Sequence, residues 1–247
     1  MSPLTEGLWR RVGRAMLGLA AVCFAMVTYG WLTLPDVRPL RTVTPTTTAF
    51  MRMRSAENVA AGKSPAISQR FVRYGRISAS LVRAVLVTED AGFYDHDGID
   101  FDELRASIGS NYKFWQWRGA STITQQLAKN LYLSSSRSPY RKIIEWLIAR
   151  RLEAELSKTR ILELYLNLIE WGDGIWGAEA ASERYFGIPA SDLSPEQAAL
   201  LAGAIINPRV YSPARPNARL LSRQKIILGR MERKVAPAEK PPGSSGG

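Results

Sequence analysis

The stretch Thr88-Glu-Asp-Ala-Gly-Phe-Tyr-Asp-His-Asp-Gly98 holds four carboxylates and the only histidine of the chain. It follows an apolar run over residues 81–87, for which Ser78 is a suitable N-cap, so we expect a helix that ends in this stretch. An acid at the C-terminal end of such a helix has an apolar wall behind it and a polar loop in front, an arrangement that fixes its position and shifts its pKa. The alternative is a solvated acidic turn after a core helix.

The composition indicates a folded protein with an anionic partner. The chain has 247 residues, 46% of them hydrophobic, and a formal net charge of +11. This length accommodates one substantial domain together with a membrane anchor and tails. The positive charge favours nucleic acid, an anionic lipid surface or a phosphorylated substrate as partner. Because Cys23 is the only cysteine, an intramolecular disulfide and a cysteine-based metal cluster are excluded.

Residues 15–35 carry no charge, and this run is long enough to cross a membrane as a helix. Arg10, Arg11 and Arg14 precede it, so the positive-inside rule places residues 1–14 in the cytoplasm and the rest of the chain outside. A cleaved signal peptide is the alternative, but the apolar run is long for one.

Composition divides the remaining chain into three parts. Residues 36–65 are rich in Pro, Thr, Ser and Arg and predict an extended connector, with a short helical piece at 48–54. Residues 66–234 form the main domain, and residues 235–247 form a tail that is disordered by composition. Segments with alternating strand patterning are few, so the domain is expected to be mainly α-helical.

A second dense polar stretch, Gly119-Ala-Ser-Thr-Ile-Thr-Gln-Gln-Leu-Ala-Lys-Asn130, predicts a helix start. Thr122 and Gln125 have the spacing of a capping box, and the first backbone N–H groups of the helix are expected to be free. Together with Lys129 they would suit a phosphate or diphosphate, although the same pattern also describes a plain helix start.

Residues 112–118, just before this stretch, interleave aromatic and basic side chains. They suit stacking on single-stranded nucleic acid, a flap in the lipid interface, or core packing. Membrane export favours the flap.

A long helix is expected over residues 141–156, with an apolar stripe along one side. Glu145 lies at the edge of that stripe, and the alternative to a role in a site is an exposed pair with Arg141. The strongly basic character of this region is not required by that alternative. Further helices are expected at about 159–169, 178–186, 194–206 and 218–233.

Taken in order, these blocks resemble the glycosyltransferases that polymerise peptidoglycan from lipid II, and most closely their monofunctional biosynthetic members. The resemblance covers about residues 78–231. Its blocks are E-D-x-x-F-x-x-H-x-G at 89–98, G-A-S-T-I-T-Q-Q-L-A-K-N at 119–130, R-K-x-x-E at 141–145, K-x-x-I-L-E-x-Y-L-N at 158–167, and G-x-x-G at 174–177 continuing to Tyr185 and Phe186. Five blocks in register are far more specific than any one of them, so the acidic-turn interpretation of Glu89 is set aside.

The resemblance implies a mainly α fold, with a lysozyme-like helical head, a small membrane-associated jaw at about residues 99–135, and a single transmembrane helix before them. It implies inverting transfer of a lipid-linked donor chain onto the GlcNAc 4-hydroxyl of the acceptor, with release of undecaprenyl diphosphate. Glu89 would be the general base. Glu145 would be the second catalytic carboxylate, assisting the leaving group directly or through a bound cation.

The resemblance also implies a substrate-binding set. Lys129, Lys142 and Arg150 would compensate the diphosphate. Asp90 and His96 would orient Glu89 and shape its loop. The other members are Phe93, Gly119, Ser121, Thr122, Gln125, Gln126, Asn130, Arg141, Lys158 and Asn167. No metal site and no cofactor is required by this resemblance, while Mg or Mn at the diphosphate stays open.

Two other functions remain as alternatives: a lysozyme-like glycan-cleaving hydrolase or lytic enzyme, and a non-catalytic membrane-anchored protein that binds glycan or lipid. Transpeptidation is not expected, because only Ser222-Arg-Gln-Lys225 fits the first transpeptidase motif and no further domain follows it. The expected partners are lipid II, the growing lipid-linked glycan and membrane lipids; further cell-wall synthesis proteins stay open, and nucleic acid is not expected. The expected location is the bacterial inner membrane, with the catalytic domain in the periplasm.

Overall fold

The computed structural model describes residues 3–65, 67–110, 121–136 and 138–232, and this part of the chain is mainly α-helical, as predicted. Its α-helices are α1 (Pro3–Leu32), α2 (Ala49–Ala60), α3 (Ala79–Glu89), α4 (Phe101–Ser110), α5 (Ile123–Tyr132), α6 (Pro139–Glu155), α7 (Lys158–Leu168), α8 (Ala178–Phe186), α9 (Pro195–Ala204) and α10 (Ala218–Glu232). Short 3₁₀ turns occupy Arg38–Arg41, Tyr74–Arg76 and Ala190–Asp192. The strands are β1 (Ser68–Gln69), β2 (Glu170–Gly172) and β3 (Ile175–Trp176).

Helix α1 is the one described helix that is long and apolar enough to span a membrane, over Arg10–Leu32. Its side chains along this span are almost all exposed, as a lipid-facing helix requires. The helix ends three residues before the predicted Pro35, because Leu34 already packs into the core of the head. Gly30 lies against Ile144 of α6, where an added Cβ would come within 2.6 Å of Ile144 Cδ1.

The predicted connector is more ordered than its composition suggested. Helix α2 extends from Ala49 to Ala60, well beyond the short piece expected at 48–54. The Thr48 side chain caps it by accepting a hydrogen bond from the Met51 backbone N–H at 3.1 Å, and the Met51 side chain is fully buried. Apolar residues in a Pro- and Thr-rich segment therefore anchor it to the head.

The head consists of two groups of packed helices. Helix α3 packs against α9 and α10, while α5 packs against α6, α7 and α2. Trp171, Trp176, Tyr165 and Phe93 are among the largest fully buried side chains. In the small sheet, β3 lies in the middle, parallel to β1 and antiparallel to β2. A rigid core thus carries the polar ends of α3, α5 and α6.

The structure does not confirm a separate jaw at residues 99–135. Helix α5, inside that range, has a largely buried surface and belongs to the head. Residues 111–120, with the aromatic and basic stretch and Gly119, lie outside the described residues, as does the predicted tail.

Gly98 is the one position in the acidic loop where glycine is required. Its φ is +86°, and an added Cβ would lie 3.2 Å from the Ala149 carbonyl oxygen of α6. The loop after α3 can therefore lie directly on α6, which brings the Gly98 carbonyl to the start of α5.

Candidate active site

Glu89 is the last residue of α3, and its side chain is partly buried in the head. Its Oε2 accepts a hydrogen bond from Gln126 Nε2 at 2.9 Å, and the Tyr165 hydroxyl donates to Gln126 Oε1 at 2.9 Å. Burial raises the pKa of Glu89, whereas the bond from Gln126 and the charges of Arg223 and Lys129 partly oppose that rise. Glu89 is thus a fixed carboxylate whose proton affinity is above that of an ordinary glutamate.

The start of α5 is already capped from within the protein. The Ile123 backbone N–H donates to Asp90 Oδ2 at 2.9 Å, and the Gln125 N–H donates to Thr122 Oγ1 at 3.2 Å. The prediction that these N–H groups are free is therefore wrong, because the buried Asp90 carboxylate occupies the positive end of the helix. Any binding of diphosphate by this segment falls to its side chains.

The capping box is also incomplete. The Gln125 amide donates to the Gly98 carbonyl at 3.1 Å rather than back to the helix start, and the Thr122 hydroxyl donates to the same carbonyl at 2.7 Å. These two bonds tie α5 to the acidic loop.

His96 supports the loop through both ring nitrogens. Its Nε2 lies 3.0 Å from Asp90 Oδ1, and its Nδ1 accepts from the Gly98 backbone N–H at 3.1 Å, which assigns the proton to Nε2. Burial lowers the pKa of His96, but the hydrogen bond to Asp90 and its charge outweigh that effect, so the pKa is raised. The direct hydrogen bond to Glu89 comes from Gln126; Asp90 acts on Glu89 through its charge, which raises the pKa of Glu89.

Glu145 is buried, so its interpretation as an exposed pair is wrong. Its side chain is only 4% exposed, with Oε2 2.5 Å from Arg141 Nη1 and Oε1 2.5 Å from Lys142 Nζ. Lys142 Nζ also donates to Ser121 Oγ at 3.1 Å and to Gln125 Oε1 at 2.9 Å. One ammonium group therefore joins α6 to the start of α5.

Lys129 links the two carboxylates electrostatically. It is partly buried, and this burial lowers its pKa, while the charges of Glu145 and Glu89 act in the opposite direction. Within the described part of the chain its Nζ has no hydrogen-bond or ion-pair partner; it lies 5.7 Å from the ring centroid of Phe50. Lys129 is therefore a desolvated cation whose hydrogen-bonding capacity is available to a ligand.

Several residues of the predicted set lie apart from this group. Arg150 is 56% exposed in its side chain and contacts Asp97, through the backbone oxygen at 3.2 Å and the carboxylate at 3.6 Å. Lys158 binds the His96 carbonyl at 2.5 Å and Glu153 at 2.9 Å, and so supports the acidic loop. Asn167 pairs with both backbone groups of Val72 at 2.9 Å each, which secures the segment before α3.

Two other predicted residues have supporting positions. Phe93 is fully buried, edge-on to Tyr94 and His96 and beneath the Lys158 ammonium. Asn130 donates from Nδ2 to the Gln126 backbone oxygen at 2.8 Å within α5.

Three residues of the site were not predicted from the sequence: Tyr165, Arg223 and Phe50. Tyr165 is fully buried, and this burial holds its pKa well above the ordinary value, so it is a permanent donor to Gln126. Arg223 lies on α10 and lowers the pKa of Glu89 by its charge. Tyr165 had a sequence signal as the tyrosine of the block K-x-x-I-L-E-x-Y-L-N at 158–167, although no role was assigned to it.

Comparison with known proteins gives consistent matches. A family model described as Transglycosylase matches residues 57–232. Biosynthetic peptidoglycan transglycosylase of Nitrosomonas eutropha is 47% identical over 219 residues, which are 88% of each chain. The protein of the same name from Azoarcus sp. is 44% identical over 236 residues, 95% of this chain and 99% of its own. That from Laribacter hongkongensis is 47% identical over 188 residues, 76% and 82% of the two chains.

Proposed function

The chain belongs to the transglycosylase family and is a peptidoglycan glycosyltransferase, and from this premise we propose that it polymerises lipid II with Glu89 as the base. The observation that carries the proposal is the partly buried carboxylate at the end of α3, which accepts a hydrogen bond from Gln126 and is acted on by the charge of Lys129. A finished glycan offers no diphosphate to such a cation. Lipid II and the lipid-linked donor chain do.

In the proposed reaction, Glu89 takes the proton of the acceptor GlcNAc 4-hydroxyl while that oxygen forms a bond to the anomeric carbon of the donor. The bond from that carbon to the diphosphate breaks, and undecaprenyl diphosphate leaves with inversion at the anomeric centre. Burial raises the pKa of Glu89, and a higher proton affinity suits a base that takes this proton. Tyr165 supports it by fixing the amide of Gln126, so that the Nε2 side faces Glu89.

The charge that develops on the diphosphate is compensated by Lys129, Lys142 and Arg141. Glu145 holds the last two at 2.5 Å each, and we assign it the role of placing these cations for the leaving group. Arg150 is more exposed and contacts Asp97 of the acidic loop, so it is placed outside this group of cations.

We infer that the protein's own side chains hold no resident divalent metal ion here, while Mg or Mn at the substrate diphosphate stays open. Among the described residues, no group of three His, Cys, Asp or Glu side chains could hold one. Both oxygens of Glu145 are engaged by cations. Titration with EDTA tests the point: turnover that survives supports compensation by the protein's own cations, and a loss reversed by Mg or Mn shows that the reaction needs a metal ion.

We further propose a single-pass topology in the inner membrane. The N-terminus lies in the cytoplasm, and the head lies in the periplasm next to the membrane lipids. Arg10, Arg11 and Arg14 at the start of the apolar helix support this orientation. Labelling of intact cells with a membrane-impermeant maleimide tests it with two cysteine variants in a Cys23→Ala background. Ser191→Cys, on the exposed surface of the head, should react, and Ser2→Cys should not. The reverse pattern contradicts the topology.

The decisive test of the function is incubation of the purified full chain with lipid II in detergent, with the products resolved by gel. The unmodified chain should extend glycan, and Glu89→Gln should not. Undiminished growth with Glu89→Gln contradicts the role of Glu89. Shortening of finished glycan strands by the unmodified chain would favour the alternative of a hydrolase or lytic enzyme, and binding without either reaction would favour a non-catalytic protein.

A further inference from the structure

The aromatic ring of Phe50 faces the site from outside the segment that the family model matches. Phe50 lies in the first turn of α2, whereas the match begins at residue 57. Its ring centroid is 5.7 Å from Lys129 Nζ and 5.0 Å from the guanidinium carbon of Arg54. Trp176 packs edge-on against the ring, with the centroids 6.5 Å apart and the planes at 72°. Two cations and an indole thus surround one phenyl ring.

We propose that Phe50 is a positioning residue for Lys129: it holds the ammonium of Lys129 in place for the substrate diphosphate without neutralising its charge. A long lysine side chain can adopt several rotamers when no polar partner holds its ammonium group. The electron-rich face of an aromatic ring attracts an ammonium within about 6 Å, and the attraction grows when water is excluded.

An aromatic ring beside the Lys129 ammonium acts differently from a carboxylate in the same place. An adjacent carboxylate would form an ion pair with Lys129 and would compete with the diphosphate for it. A phenyl ring has no net charge, so the full positive charge and the N–H donors of Lys129 remain for the ligand. Arg54, in contrast, is committed elsewhere: it pairs with Glu57 at 2.7 Å and with Glu170 at 3.1 Å.

The competing explanation is that Phe50 only fills space between α2 and the head. It is partly buried against the core and follows the capping residue Thr48 closely. Phe50→Leu keeps an apolar side chain and removes the ring, whereas Phe50→Tyr keeps the ring and should be tolerated under both explanations. The explanations differ in their dependence on Lys129: a packing role predicts the same loss from Phe50→Leu with and without Lys129, and a positioning role predicts a loss only when Lys129 is present.

The inference rests on the proposed function, in which Lys129 compensates the diphosphate. The experiment measures equilibrium binding of lipid II in detergent to the full chain, in a Glu89→Gln background so that substrate is not consumed. Phe50→Leu should weaken binding about three- to tenfold, as expected for loss of one desolvated cation–π contact. Phe50→Tyr should bind lipid II as tightly as the chain with Phe50. Phe50→Met serves as a second ring-free variant if Phe50→Leu does not fold.

A double-mutant cycle with Lys129→Met connects the effect to the ammonium. Lys129→Met should weaken binding, and Phe50→Leu should add no further loss in that background. If Lys129→Met leaves binding unchanged, the proposed role of Lys129 fails. If Lys129→Met weakens binding, the inference about Phe50 is overturned in two cases: Phe50→Leu has no effect, or it weakens binding equally with and without Lys129.

Discussion

Substitution of Glu145 by glutamine removes the buried negative charge that pairs with two cations, Arg141 and Lys142. Glu145 Oε2 and Oε1 each lie 2.5 Å from a cationic nitrogen, of Arg141 and of Lys142 respectively. Glutamine preserves the shape and one acceptor oxygen, so the substitution tests charge rather than packing.

The expected loss of stability is moderate. Breaking a fully buried ion pair costs about 3–5 kcal/mol, and an exposed pair contributes about 0.2–1 kcal/mol. Here the carboxylate is 4% exposed, but the side chains of Arg141 and Lys142 are 19% and 22% exposed and can turn toward water. We therefore expect a loss of about 2 kcal/mol, which lowers the melting temperature by about 4–8 °C in a domain of this size.

The expected loss of activity is much larger than this loss of stability can explain. Domains of ordinary stability, about 5–15 kcal/mol, remain more than about 99% folded after losing about 2 kcal/mol. If Glu145 places Arg141 and Lys142 for the leaving group, turnover of lipid II should fall about 10²–10³-fold. Thermal unfolding and the gel assay, run on the same preparation, separate the two effects.

Glu163→Gln is the matched control. Glu163 is 14% exposed, pairs with Arg160 three residues earlier on α7, and accepts a hydrogen bond from the Tyr74 backbone N–H at 2.6 Å. It belongs to a partly buried helical ion pair outside the candidate site. Its substitution should lower the melting temperature similarly and leave turnover intact. The reasoning is refuted if Glu145→Gln turns over lipid II at the same rate as Glu163→Gln.

Three further predictions concern Glu89 and the start of α5. Because burial raises the pKa of Glu89, the folded protein loses stability as the pH rises through that pKa and Glu89 ionises. Glu89→Gln should therefore raise the melting temperature at neutral pH while it abolishes turnover. A lower melting temperature would contradict this. A base must be ionised, so the turnover rate should fall as the pH drops below the raised pKa of Glu89. Gln126→Leu removes a hydrogen bond that lowers this pKa, so it should move the acid-side inflection of the pH–rate profile to higher pH, not lower. Asp90→Ala leaves the Ile123 N–H and His96 Nε2 without their buried partner, so urea titration should show a loss of about 2–4 kcal/mol, and a loss below about 1 kcal/mol would refute the capping role.

The helices were predictable where their signals are local. Ser78, Thr122 and Ser194 each cap the helix that the sequence predicted after them, and the predicted helix 178–186 coincides with α8. Caps and apolar spacing act within one or two turns, so a single sequence contains all the information they need. The five family blocks likewise indicated the enzyme class without any coordinates, and the comparisons confirm that class.

Where the sequence misled, the missing information was a partner distant in the chain. The helix start at Thr122 looked open for an anion, yet Asp90, 33 residues before Ile123, fills it. Glu145 looked exposed because only its own helix was considered, and the packing of α5 against α6 buries it. The jaw prediction extended into residues that pack within the head.

The sequence by itself determined that Glu89 ends a helix at the head of an acidic loop, since apolar spacing and a cap fix a helix locally. Only the tertiary structure decided which groups act on it: Gln126 by a hydrogen bond, Tyr165 through Gln126, and Arg223 and Lys129 by charge. The physical reason is that the pKa and the orientation of a buried carboxylate depend on desolvation and on charges within a few ångströms, and in a helical head those charges come from several helices that the sequence separates widely.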